Sequence, residues 1–439
     1  MSPELTTILM LASLLVLLAG FPIAFGVGTV GLVFGLITSG PAFLYMMPMR
    51  VMSGTLSEYI LAAVPLFIFM GTMMQTSGVA ERAFQVLHKW MSGVNGGLSV
   101  ATVVLAILFA ATTGVVGASE TAIGLLAVPA MLKARYSQSL AAGCICAGGT
   151  LGILIPPSIM LILYAPMAGV SVIQMFAGAI IPGLLLGVAY ITYILIRCAI
   201  NPELGPALPP EERLKFLSKE SLMMGFKYLV PPSLLVALVL GSIFFGVASP
   251  TEAGAVGSIG ATLLSLIYKQ LTWAAFKENC YITIRITAMI IFIALAATLF
   301  TGAFLSAGCG QVITDFLLSL GFGRWGIFLT MLSIILLLGM FIDWIGILLI
   351  VVPIFSPMLL TLGFEPLWVG LVICTSLQIS FLTPPFAYSI FYLKGLDLGL
   401  DLMEMYKGII PFVFLQILVV ILLIVFPQLC LWLPRVLGG

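Results

Sequence analysis

Charge is what this chain has least of: only 8% of its 439 residues are Asp, Glu, Lys or Arg, against about 25% in soluble domains. With 62% hydrophobic residues, no aqueous fold could hide that much apolar surface, so lipid is the solvent for most of the chain. The net charge of +1, without a clustered basic surface, excludes nucleic-acid binding. His88 is the only histidine, and no HExxH, Walker A or GxSxG stretch occurs. Metal-assisted hydrolysis, ATP hydrolysis and nucleophilic catalysis therefore lack their residues. An intramembrane aspartyl protease needs two aspartates sharing a proton, and no Gly-x-Gly-Asp stretch supports one. The chain reads as a non-enzyme with no cofactor. Cysteine is present but unpatterned: Cys144 and Cys146 form a C-x-C in an apolar run with no second pair, which reads as packing. No basic region precedes the first apolar run, so a cleaved signal peptide is not expected and the first helix is expected to stay.

What the chain does have is apolar length. A bilayer core about 30 Å thick needs roughly 20 apolar residues per spanning helix, and long runs rather than ten-residue alternation favour helices over a barrel. Spans are expected near 5–20, 23–38, 59–77, 139–168, 172–198, 226–246, 250–268, 282–304, 367–393 and 409–428. Segments 97–132 and 325–361 are interrupted centrally by small or polar residues and read as hairpins that enter and leave on one side. With both re-entrant, Lys and Arg collect on one face, leaving Arg50, Arg324 and Arg435 on the other. The positive-inside rule makes the crowded face cytoplasmic and both termini periplasmic. The stretch 78–90, with Glu81, Arg82, His88 and Lys89 on a polar face, reads as an interfacial arm.

The halves repeat. Residues 114–131 align without a gap on 338–355, placing Ser119 on Asp343 and Pro129 on Pro353, and GGTLGILIPPS (148–158) corresponds to SLQISFLTPPF (376–386). An odd number of crossings separates the copies, so they are inverted, as in many secondary transporters. The expected organisation is N-terminal scaffold helices over 1–58, followed by a first repeat over 59–200 (arm 78–91, hairpin 97–132, broken helix 139–168). A cytoplasmic linker (201–225) and scaffold helices (226–281) come next. The second repeat covers 282–408 (arm 309–320, hairpin 325–361, broken helix 367–393), and a C-terminal helix covers 409–439.

Proline and glycine inside a span free backbone groups that lipid cannot satisfy. A kink serving packing alone would give the first double proline, but its recurrence in the second half favours an ion site. Carbonyls there suit a cation, a half-helix N-terminus suits an anion, and Ser158 stands at the N-cap position. The first tip, from Thr112 to Thr121, mixes hydroxyls and glycines that suit either a hard monovalent ion or helix packing. Glu120 and Asp343 are ionisable groups at membrane depth, which are functional-site candidates by default. Polar residues concentrated at two tips and two breaks suit a transporter better than the alternatives, an ion channel or a non-transporting scaffold.

Along nearly its whole length, through VPLFIFMG (64–71), GGTLGILIPPS, EERLKF and FLTPPFAYSIFYLKG (381–395), the chain resembles the large permease subunit of tripartite ATP-independent periplasmic (TRAP) transporters of the DctM/SiaM type. The resemblance implies an all-α polytopic inner-membrane protein of inverted repeats, with two re-entrant hairpins and two broken helices. It further implies an elevator-type transporter taking up an organic anion (a carboxylate, 2-oxoacid or dicarboxylate) driven by Na+. Its partners would be a small four-helix membrane subunit and a periplasmic binding protein. By similarity, sodium lies between each tip and its broken helix, with Thr113, Gly114, Ser119, Thr150, Gly152, Ser158, Gly339, Asp343, Gln378 and Thr383 as candidates. The substrate lies between them, near Ser119, Glu120, Pro156, Ser158, Asp343, Ser380 and Pro384. Every Lys and Arg falls at a membrane edge or in a loop, so half-helix N-termini and bound Na+ are expected to hold the carboxylate.

Overall fold

The computed structural model describes residues 2–13, 20–113, 116–207, 219–385 and 387–438, except the side chains at 111–113, 118 and 220. Gly114 and the side chain of Thr113, both expected sodium ligands, lie outside the described residues, as does the EERLKF loop. The chain opens with α1 (Pro3–Ser13), α2 (Ile23–Ser39) and α3 (Ala42–Val51), which runs into a π-helical turn, Met52–Leu56. A first series follows: α4 (Ala63–Thr76), α5 (Val79–Met91), α6 (Gly97–Thr113), α7 (Val116–Lys133), α8 (Gln138–Thr150), α9 (Ile159–Met167) and α10 (Val172–Ile200). Three helices bridge the halves: α11 (Lys219–Tyr228), α12 (Val230–Phe244) and α13 (Pro250–Ile267). The second series is α14 (Trp273–Ser306), α15 (Cys309–Ser319), α16 (Gly323–Gly339), α17 (Trp344–Thr361), α18 (Pro366–Leu382), α19 (Tyr388–Lys394) and α20 (Leu402–Val425), and α21 (Gln428–Val436) closes the chain. No strand occurs among the described residues.

The two series share an order and its punctuation. Both arm helices, α5 and α15, start after a glycine in the left-handed region, Gly78 (φ 69) and Gly308 (φ 76), where a side chain would be strained. α6–α7 and α16–α17 are the two hairpins. α8–α9 and α18–α19 are the broken helices, each interrupted at a cis Pro–Pro bond, Pro156–Pro157 and Pro384–Pro385. A proline cannot donate to a helical ladder, which is why each helix ends before its pair.

Four boundaries differ from the sequence reading. The span expected at 282–304 belongs to a helix of 34 residues starting at Trp273. With no glycine or proline between Trp273 and Arg285 to stop it, the helix carries Lys277, Glu278 and Arg285 on its overhang, since about 1.5 Å per residue makes it longer than the bilayer core. The expected linker 201–225 ends as helix: α11 packs on α5, where the Trp90 indole donates to Ser221 Oγ at 2.5 Å. α20 begins at Leu402, where the Asp401 carboxylate accepts from Met403 N and Glu404 N at 2.9 and 3.1 Å. The C-terminal segment is two helices, because Pro427 follows α20 and α21 folds back onto α10.

Burial separates inside from outside. Every residue of 140–165 and of 367–382 is buried, as expected of helices apolar all round, so the two broken helices form the middle of the molecule. Leu234, Leu238, Ile259, Leu263, Ile410 and Phe414 are exposed on outer helices, an apolar surface suited to lipid or a membrane partner. α2 lies along α14 through glycines: a Cβ at Gly31 would come 2.6 Å from the Phe300 backbone, and one at Gly28 would come 3.3 Å from Ala296. Close approach through small residues is the ordinary packing device in lipid.

Candidate functional site

A large cavity, of about 1220 Å³, lies between the hairpins with the broken helices and the pair α2–α14. One wall is formed by α2, α4 and α14: Phe21 to Phe25 at the start of α2, Pro65 of α4, and much of 283–295 on α14. The other wall is built from both hairpins and both breaks: Val116 and Gly117 at the first tip, Asp343 and Trp344 at the second, Ile159 opening α9, then Phe381, Tyr388 and Tyr392. Among the described residues, none of those lining it is Lys or Arg, and Asp343 is the only carboxylate. Asp343 is the N-cap of α17, accepting from Ile345 N at 3.3 Å. One carboxyl oxygen thus serves the helix while the group faces the chamber.

Two tyrosines of α19, not singled out from the sequence, tie the tips together. The Tyr388 hydroxyl donates to the Phe341 carbonyl at 3.2 Å, beside the second tip. The ring of Tyr392 lies against Gly117 of the first, where an added Cβ would sit 2.9 Å from it. Phe381 packs on Tyr388 with ring centroids 5.8 Å apart. The available signal was an aromatic pair spaced i, i+4 just after the second double proline, a spacing that puts both rings on one helix face.

Most of the other expected residues are set behind this wall. Ser158 is buried at the N-cap of α9, but its hydroxyl donates to the Ile153 carbonyl at 2.5 Å instead of capping. Gly152 is buried in the 3₁₀ turn before it. Ser119 donates to Val116 O at 2.8 Å within its own helix. Glu120 is fully buried against α8, where a Cβ at Gly149 would lie 2.7 Å from its carboxyl oxygen, and Ser389 is its polar neighbour. Gly339 and Ser380 are brought together: α16 rests on α18 where a side chain at Gly339 would overlap Ser380. Thr383 donates to Ile379 O at 2.6 Å, closing α18. Pro384 is exposed, whereas Pro156 is buried on a separate apolar cavity of about 250 Å³ beside α12.

The repeat converges on one polar contact. Thr150 and Gln378 occupy equivalent positions in the aligned breaks, and Thr150 Oγ1 lies 3.5 Å from Gln378 Oε1. Gln416 of α20 donates to the same hydroxyl at 3.3 Å. All three side chains are fully buried, so this network pins α8, α18 and α20 together at the centre.

Paired hairpins and broken helices enclosing a chamber against α2, α4 and α14 define a multi-pass membrane transporter. A family profile, "Tripartite ATP-independent periplasmic transporter, DctM component", matches residues 9–429, and the chain belongs to that family: it is the large permease subunit of a TRAP transporter. It is 32% identical over 96% of both chains to the C4-dicarboxylate TRAP transporter large permease protein DctM of Vibrio cholerae. It is 28% identical to the ectoine TRAP transporter large permease protein TeaC of Halomonas elongata, over 98% of this chain and 99% of that one. Among solved structures, the YdaH transporter of Alcanivorax borkumensis is similar with a TM-score of 0.65 at 14% identity, covering 99% of this chain and 100% of that one, a likeness of fold alone.

Proposed function

We propose that this subunit performs Na+-driven uptake of an organic anion by an elevator movement of the hairpins and broken helices against the scaffold. A periplasmic binding protein delivers the substrate and a small four-helix membrane subunit completes the transporter, in a bacterial inner membrane with both termini periplasmic. The observation that carries this reading is the chamber itself, with both tips and both breaks on one wall and scaffold on the other. Among the described residues no guanidinium or ammonium lines it, so the charge opposing the anion arrives with the cargo. Na+ supplies it. Ser158 Oγ and the Ile153 carbonyl, already adjacent, offer paired oxygens to one ion together with Thr150 and Thr113; Asp343 and Thr383 offer oxygens to the other.

Elevator motion needs two bodies that slide. α8, α18 and α20 interlock through the Thr150–Gln378–Gln416 contact, and the hairpins and α10 pack on them, while α2 and α14 form a closely packed second unit. The substrate is a carboxylate, of the 2-oxoacid or dicarboxylate kind. Uptake assayed in proteoliposomes with both partners should follow an imposed Na+ gradient. Uptake unchanged without Na+, or electrodiffusive flux without the partners, would overturn the proposal.

A further inference from the structure

A second cavity, of about 390 Å³, lies between the scaffold and the helices proposed to move, within the usual size for a small-molecule site. Its polar side is all scaffold: Arg50, Ser53, Thr55 and Glu58 around the π-helical turn, facing Thr298 and Thr301 of α14. Its apolar side belongs to α9 (Leu163, Pro166) and α17 (Leu349, Pro353). The guanidinium lies against α14 at Gly302, where an added Cβ would stand 2.7 Å from Arg50 Nη1. Only a residue without a side chain leaves that berth. Arg50 forms no ion pair among the described residues, although Glu58 lines the same cavity. The Thr301 hydroxyl is buried without a hydrogen-bond partner, and Thr55 and Thr298 share a hydrogen bond of 2.7 Å. A planar fork of donors with hydroxyls beside it matches a carboxylate, and π-helical turns recur at functional sites.

The cavity's place along α14 gives it a role. The main chamber touches this helix between residues 283 and 295, and the second cavity between 294 and 305. Their footprints follow one another along α14, with midpoints about 15 Å apart by helical rise. In the proposed orientation the second lies on the periplasmic side. We propose that the Arg50 cavity is a first-contact carboxylate site, which takes the anion before the Asp343 chamber does. This rests on the uptake reading above. It places the one arginine of the pathway where the substrate has not yet met sodium, and Glu58 limits how tightly the anion is held.

The test uses the full-length chain in nanodiscs, with Ser53→Cys as reporter in a Cys280→Ser background. Its labelling rate is measured with a sulfonate-bearing and a trimethylammonium-bearing thiosulfonate, with succinate as the carboxylate probe and chloride as control. The preference for the anionic reagent should fall about tenfold or more in Arg50→Gln, as expected for one charge at close range. Succinate should slow labelling where chloride does not, and this protection should vanish in Arg50→Gln and strengthen in Glu58→Gln. Arg50→Lys, which keeps the charge and guards against misfolding, should retain the reagent preference and lose most of the protection. A preference unchanged by Arg50→Gln, or protection absent from the parent, overturns the proposal. Labelling needs no sodium gradient, so failure of Na+ coupling would leave these results intact, and failure here would leave Na+-driven uptake standing.

Discussion

At the scale of single residues, Asp343 does two jobs that one substitution can separate. Asparagine is as good an N-cap as aspartate, so Asp343→Asn keeps the cap of α17 while removing the one carboxylate that lines the chamber among the described residues. Sodium activation of uptake should weaken in Asp343→Asn with protein abundance unchanged, whereas Asp343→Ala should also lose about 1 kcal/mol of stability. Unchanged sodium activation in the asparagine variant would remove Asp343 from the ion site. Ser158→Ala takes away the hydroxyl that holds the Ile153 carbonyl. It should lower sodium and substrate affinity together, measured by binding titrations of each in the presence of the other. The reading from the sequence reached Asp343 because an acid in an apolar segment is conspicuous. Tyr388 and Tyr392 escaped it, since aromatics are common in such helices and only the break's geometry turns these two toward the tips. Glu120 follows Ser119 directly, and consecutive helical residues point about 100° apart. Nothing short of the packing of α7 on α8 shows that Glu120 faces Gly149.

Among the elements, glycine contacts decide how closely helices approach. α8 crosses α20 with Gly143 and Gly408 facing each other: a Cβ on either would overlap a backbone carbonyl, of Gly408 or of Ser139 respectively. Gly408→Ala should therefore destabilise the protein by about 1–3 kcal/mol, the cost of overpacking, seen as a lower melting temperature in detergent. An unshifted melting temperature would mean that the crossing has room for a methyl group. The apolar runs made the spans and hairpins legible, and the double prolines marked the breaks. Boundaries were less legible where charge and chain geometry disagree. Lys277 and Arg285 look like the end of a span, yet α14 passes through them, because a helix overhanging the bilayer can keep its charged side chains in water or at the interface.

At the scale of the whole molecule, no arginine lines the chamber among the described residues, so binding of substrate and sodium should be linked. Substrate affinity is expected to fall at least about fivefold when Na+ is withdrawn, measured as substrate Kd against Na+ concentration in the purified transporter. Sodium-independent binding would mean that some other group holds the anion. The sequence by itself determined that the protein lives in lipid, that it is helical, and that it is built of two repeats with a hairpin and a broken helix in each. Those properties follow from local composition: apolar length, proline chemistry and the spacing of small residues act wherever the chain lies. Only the tertiary structure decided which residues share a wall. It set Asp343 and two tyrosines on the chamber, turned Glu120 and Ser380 behind it, and joined Thr150 to Gln378 across 228 residues of chain. Those choices depend on the rotation of each helix about its axis, which is fixed by contacts with neighbours distant in sequence.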